Sequence, residues 1–288
     1  MARGVNPKPG ERGRTGVVFS SAFFGFFAHA GVLSALRERG IHPAGFSGSS
    51  SGAIVAAMAA CDMPDDAIQR ILFDLRKADF WDPDPPGTLL RYALRAFRGY
   101  TGYLKGRGFK RLLNVLPVRR IEDCAVPLLI AATDLTRQRE ALLTSGDLIP
   151  ALHASGAVPG LFKPARVGSS WCVDGGMVEK APVHALAEHI GATRILVHYL
   201  PSENVSGKAN AFLGKRFTPW HVHHLSVSIA RQAAYEQQVA RLRSRGIEIV
   251  EIRTTPPPVG PNRLHAGPEA YAHARQAALE ALARIQST

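Results

Sequence analysis

The amino-acid sequence predicts a layered α/β fold built on a mostly parallel sheet, and three observations carry that expectation. Short β-rich runs alternate with segments of helical periodicity, the pattern that puts crossover helices between parallel strands. Towards the C-terminus, Arg194–Leu200 and Ile247–Arg253 are β-rich runs on either side of a long helix, about His221 to Arg245. Finally, 288 residues with 46% hydrophobic content can bury a large core, and they favour one elaborated domain over two.

Taken in order, residues 1–14 are polar and basic and carry Pro7, Pro9 and several glycines. They read as a flexible segment, without the apolar core or cleavage site of a secretory signal. Val17–Leu36 is apolar enough to pass for a membrane span, but Ser20, Ser21, His29 and Ser34 interrupt it. It divides instead into a buried strand at Gly16–Ser20, a loop, and a helix at Ala28–Arg39 stopped by Gly40. A short apolar stretch (Ala44, Gly45, Phe46) leads through a turn into a small-residue helix, Ala53 to Cys61. Pro64–Ala78, Thr88–Arg98 and Phe109–Leu116 read as helices separated by turns such as Asp82-Pro83-Asp84-Pro85-Pro86-Gly87. This helical stretch, about residues 63–120, interrupts the alternation and is expected to be an inserted cap. Strand character returns at Pro127–Thr133, with an edge pair around Glu140–Thr144 and a further strand at Trp171–Val173. The last helix spans about Pro268 to Ile285. Residues 15–200 are expected to form the main domain, and 201–288 a helix–strand–helix extension packed on it. Ser202–Ala209 and Thr254–Gly267 read as surface loops.

The charge balance is strongly basic, with 35 Lys and Arg against 23 Asp and Glu for a formal +12. Such a balance suits nucleic acid or an anionic membrane surface. Arg91, Arg95, Arg98, Lys105, Arg107, Lys110, Arg111, Arg119 and Arg120 form the densest region. No nucleic-acid motif accompanies them, so nucleic acid is not expected as a partner. Peripheral docking on an anionic membrane competes with a plain solvated basic face. Cys61, Cys124 and Cys172 have neither disulfide-framework nor metal-type spacing and read as buried small residues of a reducing, cytoplasmic compartment. His221, His223 and His224 are close in sequence, but their spacing does not put two ligands on one helical face with a carboxylate, so no metal site is expected.

The residues that point to chemistry begin at Gly48-Ser49-Ser50-Ser51-Gly52. This is the G-x-S-x-G pattern in a strand–turn–helix setting, where the central serine projects from a sharp turn. Only Gly48–Gly52 fits the frame, so Ser50 is the candidate nucleophile. The glycines relieve backbone crowding, and the helix N-terminus behind the serine offers free N–H groups to a developing oxyanion. An ordinary Gly/Ser loop would look the same in isolation. A serine also needs a base. His29 opens a helix beside Gly31, and His153 and His184 lie in apolar surroundings where a hydrogen-bonded structural histidine is the default. Asp174, in Val173-Asp174-Gly175-Gly176, is the stronger partner. A strand ends there, and Gly175 and Gly176 strip side chains from one side of the carboxylate, leaving room for a serine or a substrate. An apolar pocket would raise its pKa into the range of a general base.

With these residues in view, the chain resembles the patatin-like phospholipases from about Val17 to Ala192. The resemblance rests on ordered blocks: His29-Ala30-Gly31-Val32-Leu33 with Ala35-Leu36; Ser47-Gly48-Ser49-Ser50-Ser51-Gly52-Ala53; Pro127-Leu128 with Ala132-Thr133-Asp134-Leu135; and Ser145-Gly146-Asp147-Leu148. Ala154-Ser155-Gly156-Ala157-Val158-Pro159-Gly160-Leu161-Phe162 with Pro164 follows, and then Val173-Asp174-Gly175-Gly176 with Pro182. The resemblance implies a three-layer α/β/α sandwich, acyl esters of lipids as substrates, Ser50 as nucleophile and Asp174 as base of a histidine-free dyad. One block departs from the family. After its first strand the family carries a G-x-G-x-x-G loop, often with an arginine, whose N–H groups form the oxyanion hole. Here the stretch is Ser21-Ala22-Phe23-Phe24-Gly25-Phe26, with one glycine and no arginine. Backbone donors survive such a change if the loop keeps its shape, although Cβ atoms restrict it. The N–H groups of Phe24, Gly25, Phe26 and Ser51 are the expected donors. Phe23, Phe24, Phe26 and Phe27 read equally as core packing or as an acyl-chain wall.

The sequence therefore leads to a serine hydrolase of phospholipid or lysophospholipid acyl esters, needing no metal or organic cofactor. Two readings compete with it: an acyl-lipid-binding protein that kept the fold and lost most catalysis, and an esterase or thioesterase for non-lipid acyl substrates.

Overall fold

The first strand, β1 (Thr15–Phe19), runs through a tight loop into α1 (Phe26–Glu38), and β2 (Gly45–Ser49) runs directly into α2 (Ser51–Ala60). Four helices follow, α3 (Asp65–Phe73), α4 (Lys77–Phe80), α5 (Pro86–Ala93) and α6 (Arg107–Leu113), with the short strand β3 (Gly102–Leu104) before the last of them. Next come β4 (Leu128–Asp134), β5 (Arg139–Leu143), α7 (Leu148–Ser155), β6 (Gly160–Phe162), β7 (Ala165–Val167) and β8 (Ser170–Asp174). The chain ends with α8 (Val183–Ile190), β9 (Arg194–Tyr199), α9 (Pro219–Ser244), β10 (Glu248–Arg253) and α10 (Gly267–Gln286). This computed structural model describes residues 14–201 and 219–286. Segment 1–14, apart from Arg14, and the loop expected at Ser202–Ala209 lie outside the described residues.

The main sheet has the order β10-β9-β1-β2-β4-β8-β7, with β5 also paired to β4. From β10 to β4 every pairing is parallel, whereas β5, β8 and β7 add antiparallel pairs. β3 and β6 form a separate parallel pair. Strands of a parallel sheet covered by helices on both faces are buried on both sides, and the side chains sort accordingly. Val17, Phe19, Leu196 and Ile252 join a core with α1, α2, α3 and α10. Their neighbours Val18, Ile195, Val197 and Ile249 join a second core with α8 and α9. The strand period of two thus divides one sheet between two helical layers, and the molecule is an α/β/α sandwich. α2 is buried along its whole length, which small side chains such as Ala53, Ala56, Ala57 and Ala60 permit.

Within the helical insertion three expected boundaries shift, each for a local reason. The helix expected over Pro64–Ala78 divides because the Asp79 carboxylate accepts the N–H of Arg76 (2.7 Å) and starts α4 afresh. The one expected over Thr88–Arg98 stops at Ala93, since Ala96 and Phe97 take left-handed backbone angles (φ 49° and 58°) that a right-handed helix excludes. α6 begins at Arg107 rather than Phe109 because the Asp82 carboxylate accepts the N–H groups of Gly106, Arg107 and Gly108 from across the insertion. β3, β6, β7, α7 and α8 have no counterpart among the expected elements.

Candidate active site

Strand register brings the site together. Ser49, the last residue of β2, pairs with Ala131 of β4. Asp174, the last residue of β8, pairs with Ala132, one position further along. β5 pairs with both Ala131 and Ala132, so β2 and β8 must share the opposite edge of β4, and their ends abut. The side chains at that junction are Ser50 and Asp174, and Ser50 Oγ donates to Asp174 Oδ2 at 2.6 Å.

Ser50 occupies φ 55°, ψ −123°, a backbone region that costs a residue with a Cβ on the order of 1–3 kcal/mol. The surroundings hold it there. Its N–H donates to Ser155 Oγ (2.9 Å), and the Ser155 hydroxyl donates in turn to the Ala131 carbonyl (2.7 Å). The flanking glycines are there for close approach: a Cβ on Gly48 would lie 2.4 Å from the Gly52 carbonyl, and one on Gly52 would lie 2.3 Å from the Phe19 carbonyl oxygen.

Burial drives the Asp174 carboxyl up to about 6, against the opposing pull of hydrogen bonds from Ser50 and Gly176 and the charges of Arg231 and Lys180. Oδ1 accepts from the Gly176 N–H at 2.7 Å, and Thr133 Oγ1 donates to the Asp174 carbonyl at 2.8 Å. Gly175 and Gly176 do not leave open room beside the carboxylate. A Cβ on the first would meet the Ala131 carbonyl oxygen at 2.2 Å and one on the second Ser21 Oγ at 2.4 Å, so protein already fills that space. Arg231 of α9 donates to the Gly176 carbonyl (2.6 Å) and fastens the same turn from the other helical layer. Lys180 is buried nearby, its pKa brought down to about 7 by that burial.

No histidine among the described residues hydrogen-bonds to Ser50 or Asp174. His29 and His198 share a hydrogen bond between their Nδ1 atoms (2.8 Å), and His198 Nε2 meets Thr254 Oγ1 (2.8 Å). Burial pulls His198 down to about 3 and His153 to about 4, so both are neutral near pH 7. His153 departs from the expected hydrogen-bonded histidine, since neither of its ring nitrogens meets a partner among the described residues. No three His, Cys, Asp or Glu side chains among the described residues are grouped to hold a metal ion. The side chains of His221 and His224 lie outside those described. Nor is any helix among the described residues long and apolar enough to cross a membrane. All three cysteines are free. Only Cys172 is fully buried, whereas Cys61 and Cys124 are half-buried and face one another with sulfurs 3.5 Å apart, a proximity their sequence spacing concealed.

The loop after β1 keeps its turn without the glycines. Phe24 itself adopts φ 53°, a left-handed angle that glycine takes freely. Gly25 differs from the other expected donors, because its N–H is engaged by the Ala22 carbonyl (3.3 Å), which also accepts from Ser51 Oγ (2.7 Å). The N–H groups of Phe24, Phe26 and Ser51 meet no acceptor among the described residues. The phenylalanine cluster divides between its two readings. Phe27 is core, while Phe23, Phe24 and Phe26 line a cavity that opens on Ser50 and Ser51. The far wall comes from the insertion and from α7's exit: Ile71, Phe80, Leu104, Phe109, Leu113 and Phe162. Almost all of this lining is apolar.

The family model for patatin-like phospholipase matches residues 17–187. The chain belongs to that family. An uncharacterized NTE family protein of Mycobacterium tuberculosis is similar, 28% identical over 162 residues that make up 56% of this chain and 42% of the relative. Lysophospholipase NTE1 of Mycosarcoma maydis is 30% identical over 159 residues, 54% of this chain and 8% of that protein. The chain thus spans less than half the length of these curated relatives. Among solved structures, VipD from Legionella pneumophila aligns over 92% of this chain and 66% of its own, with 14% identity and a TM-score of 0.45. Ser50, Asp174, Thr133 and Ser155 all fall inside the patatin-like segment, and Arg231 falls beyond it. Ser155 stood in one of the motif blocks without a role. Nothing in the sequence marked Arg231, whose position depends on α9 folding back over the turn at Gly176.

Proposed function

We propose that this patatin-like protein is a serine hydrolase that cleaves acyl ester bonds of phospholipid or lysophospholipid through a Ser50–Asp174 dyad. The single observation that carries this reading is the 2.6 Å bond to the buried Asp174 carboxylate from Ser50 Oγ, a residue that itself lines the apolar cavity. Helices α3, α4 and α6 act as its cap, and the apolar wall receives the acyl chain. Asp174 takes the Ser50 proton as Oγ attacks the ester carbonyl carbon. The oxyanion forms near the N-terminus of α2, where the N–H of Ser51 and those of Phe24 and Phe26 donate to it. Asp174 then returns the proton to the departing alkoxide. Water, giving its proton to Asp174, attacks the acyl-enzyme, and the fatty acid leaves as Ser50 is reprotonated.

The loop bears on the competing binder reading. It retains a left-handed angle at Phe24 and free N–H groups at Phe24 and Phe26, which suits a working oxyanion hole better than a vestigial one. The near absence of polar groups in the cavity favours acyl lipids over polar esters. Ser50→Ala is expected to abolish release of fatty acid from lysophospholipid and labelling by a serine-directed fluorophosphonate. Release that continued undiminished in the variant would refute the assignment.

A further inference from the structure

Between Asp84 and Glu122 the chain carries nine Lys and Arg and no acidic residue. Within that stretch, α5 and the turns after it expose three large apolar side chains: Leu90 (63%), Leu94 (81%) and Phe97 (56%). Each is followed directly by an arginine: Arg91, Arg95 and Arg98, all exposed and none paired with a carboxylate among the described residues. The chain folds back on itself here, with the Phe97 N–H bonded to the Tyr92 carbonyl (2.7 Å) and the Phe97 ring 5.9 Å from that of Tyr100. The result is an exposed knob of chain along which aliphatic, aromatic and cationic side chains are interleaved in sequence.

The interleaving decides which occupant fits. A dry protein interface over Leu90, Leu94 and Phe97 would strand three guanidinium groups between them, and burying an unpaired charge is costly. A second copy of this chain would set the same arginines face to face. A lipid surface has the matching layers, acyl chains below and phosphates above, so apolar tips can dip while the arginines stay at headgroup level. We propose that this knob docks the protein on an anionic lipid surface, with Leu90, Leu94 and Phe97 in the headgroup–acyl boundary and Arg91, Arg95 and Arg98 on the phosphates. The same insertion walls the cavity beside Ser50, through Phe80, Leu104 and Phe109. That docking also delivers substrate rests on the hydrolase reading; the docking itself does not.

The full chain, a Leu90→Ser/Leu94→Ser/Phe97→Ser variant and an Arg91→Gln/Arg95→Gln/Arg98→Gln variant would be sedimented with vesicles of phosphatidylcholine alone or mixed with phosphatidylglycerol. Each would also be assayed on a short soluble ester. Wild type is expected to bind only the anionic vesicles, and less as salt is raised. The arginine variant should bind on the order of a hundredfold more weakly, each cation near such a surface being worth about a fivefold factor. The apolar variant should lose at least about tenfold, since it removes three side chains from the acyl boundary. Hydrolysis of the soluble ester should be unchanged in both variants, which establishes that they are folded. Wild-type affinity retained by the apolar variant would overturn the proposal. So would equal binding to neutral vesicles, or a wild-type dimer that the apolar variant dissociates. Wild type that binds vesicles but leaves every ester intact would refute the hydrolase reading and spare the docking.

Discussion

Burial holds the Asp174 carboxyl at about 6, and two consequences follow at the scale of that residue. Only the ionised form accepts the Ser50 proton, so hydrolysis of a soluble ester should rise with pH along a single-proton limb centred near 6 and level off above it. A limb at the ordinary carboxylate position, near 4, would show that buried Asp174 is not the base. The same shift acts on stability. The folded pKa lies above the unfolded value of about 4, so between those values the folded state binds more protons, and stability falls as pH rises through the window. At about 1.4 kcal/mol per unit, the charge costs the fold roughly 3 kcal/mol at pH 7. Asp174→Asn keeps the shape and removes the charge. It should be inactive yet about 1–3 kcal/mol more stable than wild type at pH 7, the advantage vanishing towards pH 4, as read from denaturant midpoints at both pH values. Equal stability at pH 7 would contradict the burial cost. Ser50 and Asp174 were legible in the sequence because each stands in a short pattern with a local meaning. Ser155 and Thr133 were not, since one holds the Ser50 N–H and the other the Asp174 carbonyl only after strands distant in sequence have aligned.

At the scale of elements, the Ser50–Asp174 site is clamped between two pieces of backbone that the sequence describes unequally. Within the loop from Ser21 to Phe26, a Cβ on Gly25 would lie 2.6 Å from Ala22 Cβ, 2.7 Å from Leu200 Cδ1 and 3.1 Å from Ser51 Oγ at the start of α2. Gly25→Ala must therefore distort the loop that carries the Phe24 and Phe26 N–H groups, and kcat on a soluble ester should fall on the order of 10–1000-fold, the range of a lost or misaligned oxyanion donor. KM should change little, and a variant of wild-type kcat would exclude this loop from the oxyanion hole. On the opposite side, α9 supplies Arg231, which bonds the Gly176 carbonyl and whose charge favours ionised Asp174. Arg231→Gln should shift the acid limb of the pH–rate profile to higher pH, and Arg231→Lys should restore it in part. A structural role alone would lower the rate without moving the limb. α9 itself was legible as a long helix, but which of its residues faces Asp174 was not. The helices of the insertion were legible with blurred ends for a related reason: Asp82 caps α6 from a distant turn, a contact with no signature in local periodicity.

At the scale of the whole molecule, the strand–helix alternation exposed the parallel half of the sheet, because each crossover helix leaves a run long enough to carry a period. The antiparallel half was only partly legible, since β7 is three residues long and takes its conformation from pairing with β8. The segment matched by the family model ends at residue 187, inside α8 and before β9. Yet β9 is the neighbour of β1, and α10 shares the core of α1 through Tyr271, Ala274 and Leu282. A chain ending at residue 187 would leave β1 with an open edge carrying Val17, Val18 and Phe19, and would uncover one face of α1. An exposed, apolar edge strand of that kind recruits other chains. The truncated chain is therefore expected to aggregate on expression and to show no cooperative thermal transition, whereas the full chain melts as a single unit that includes the C-terminal residues. The two can be compared by calorimetry, together with fluorophosphonate labelling of Ser50. A soluble fragment with a sharp transition and labelled Ser50 would mean that the patatin-like segment is complete without β9, β10 and α10.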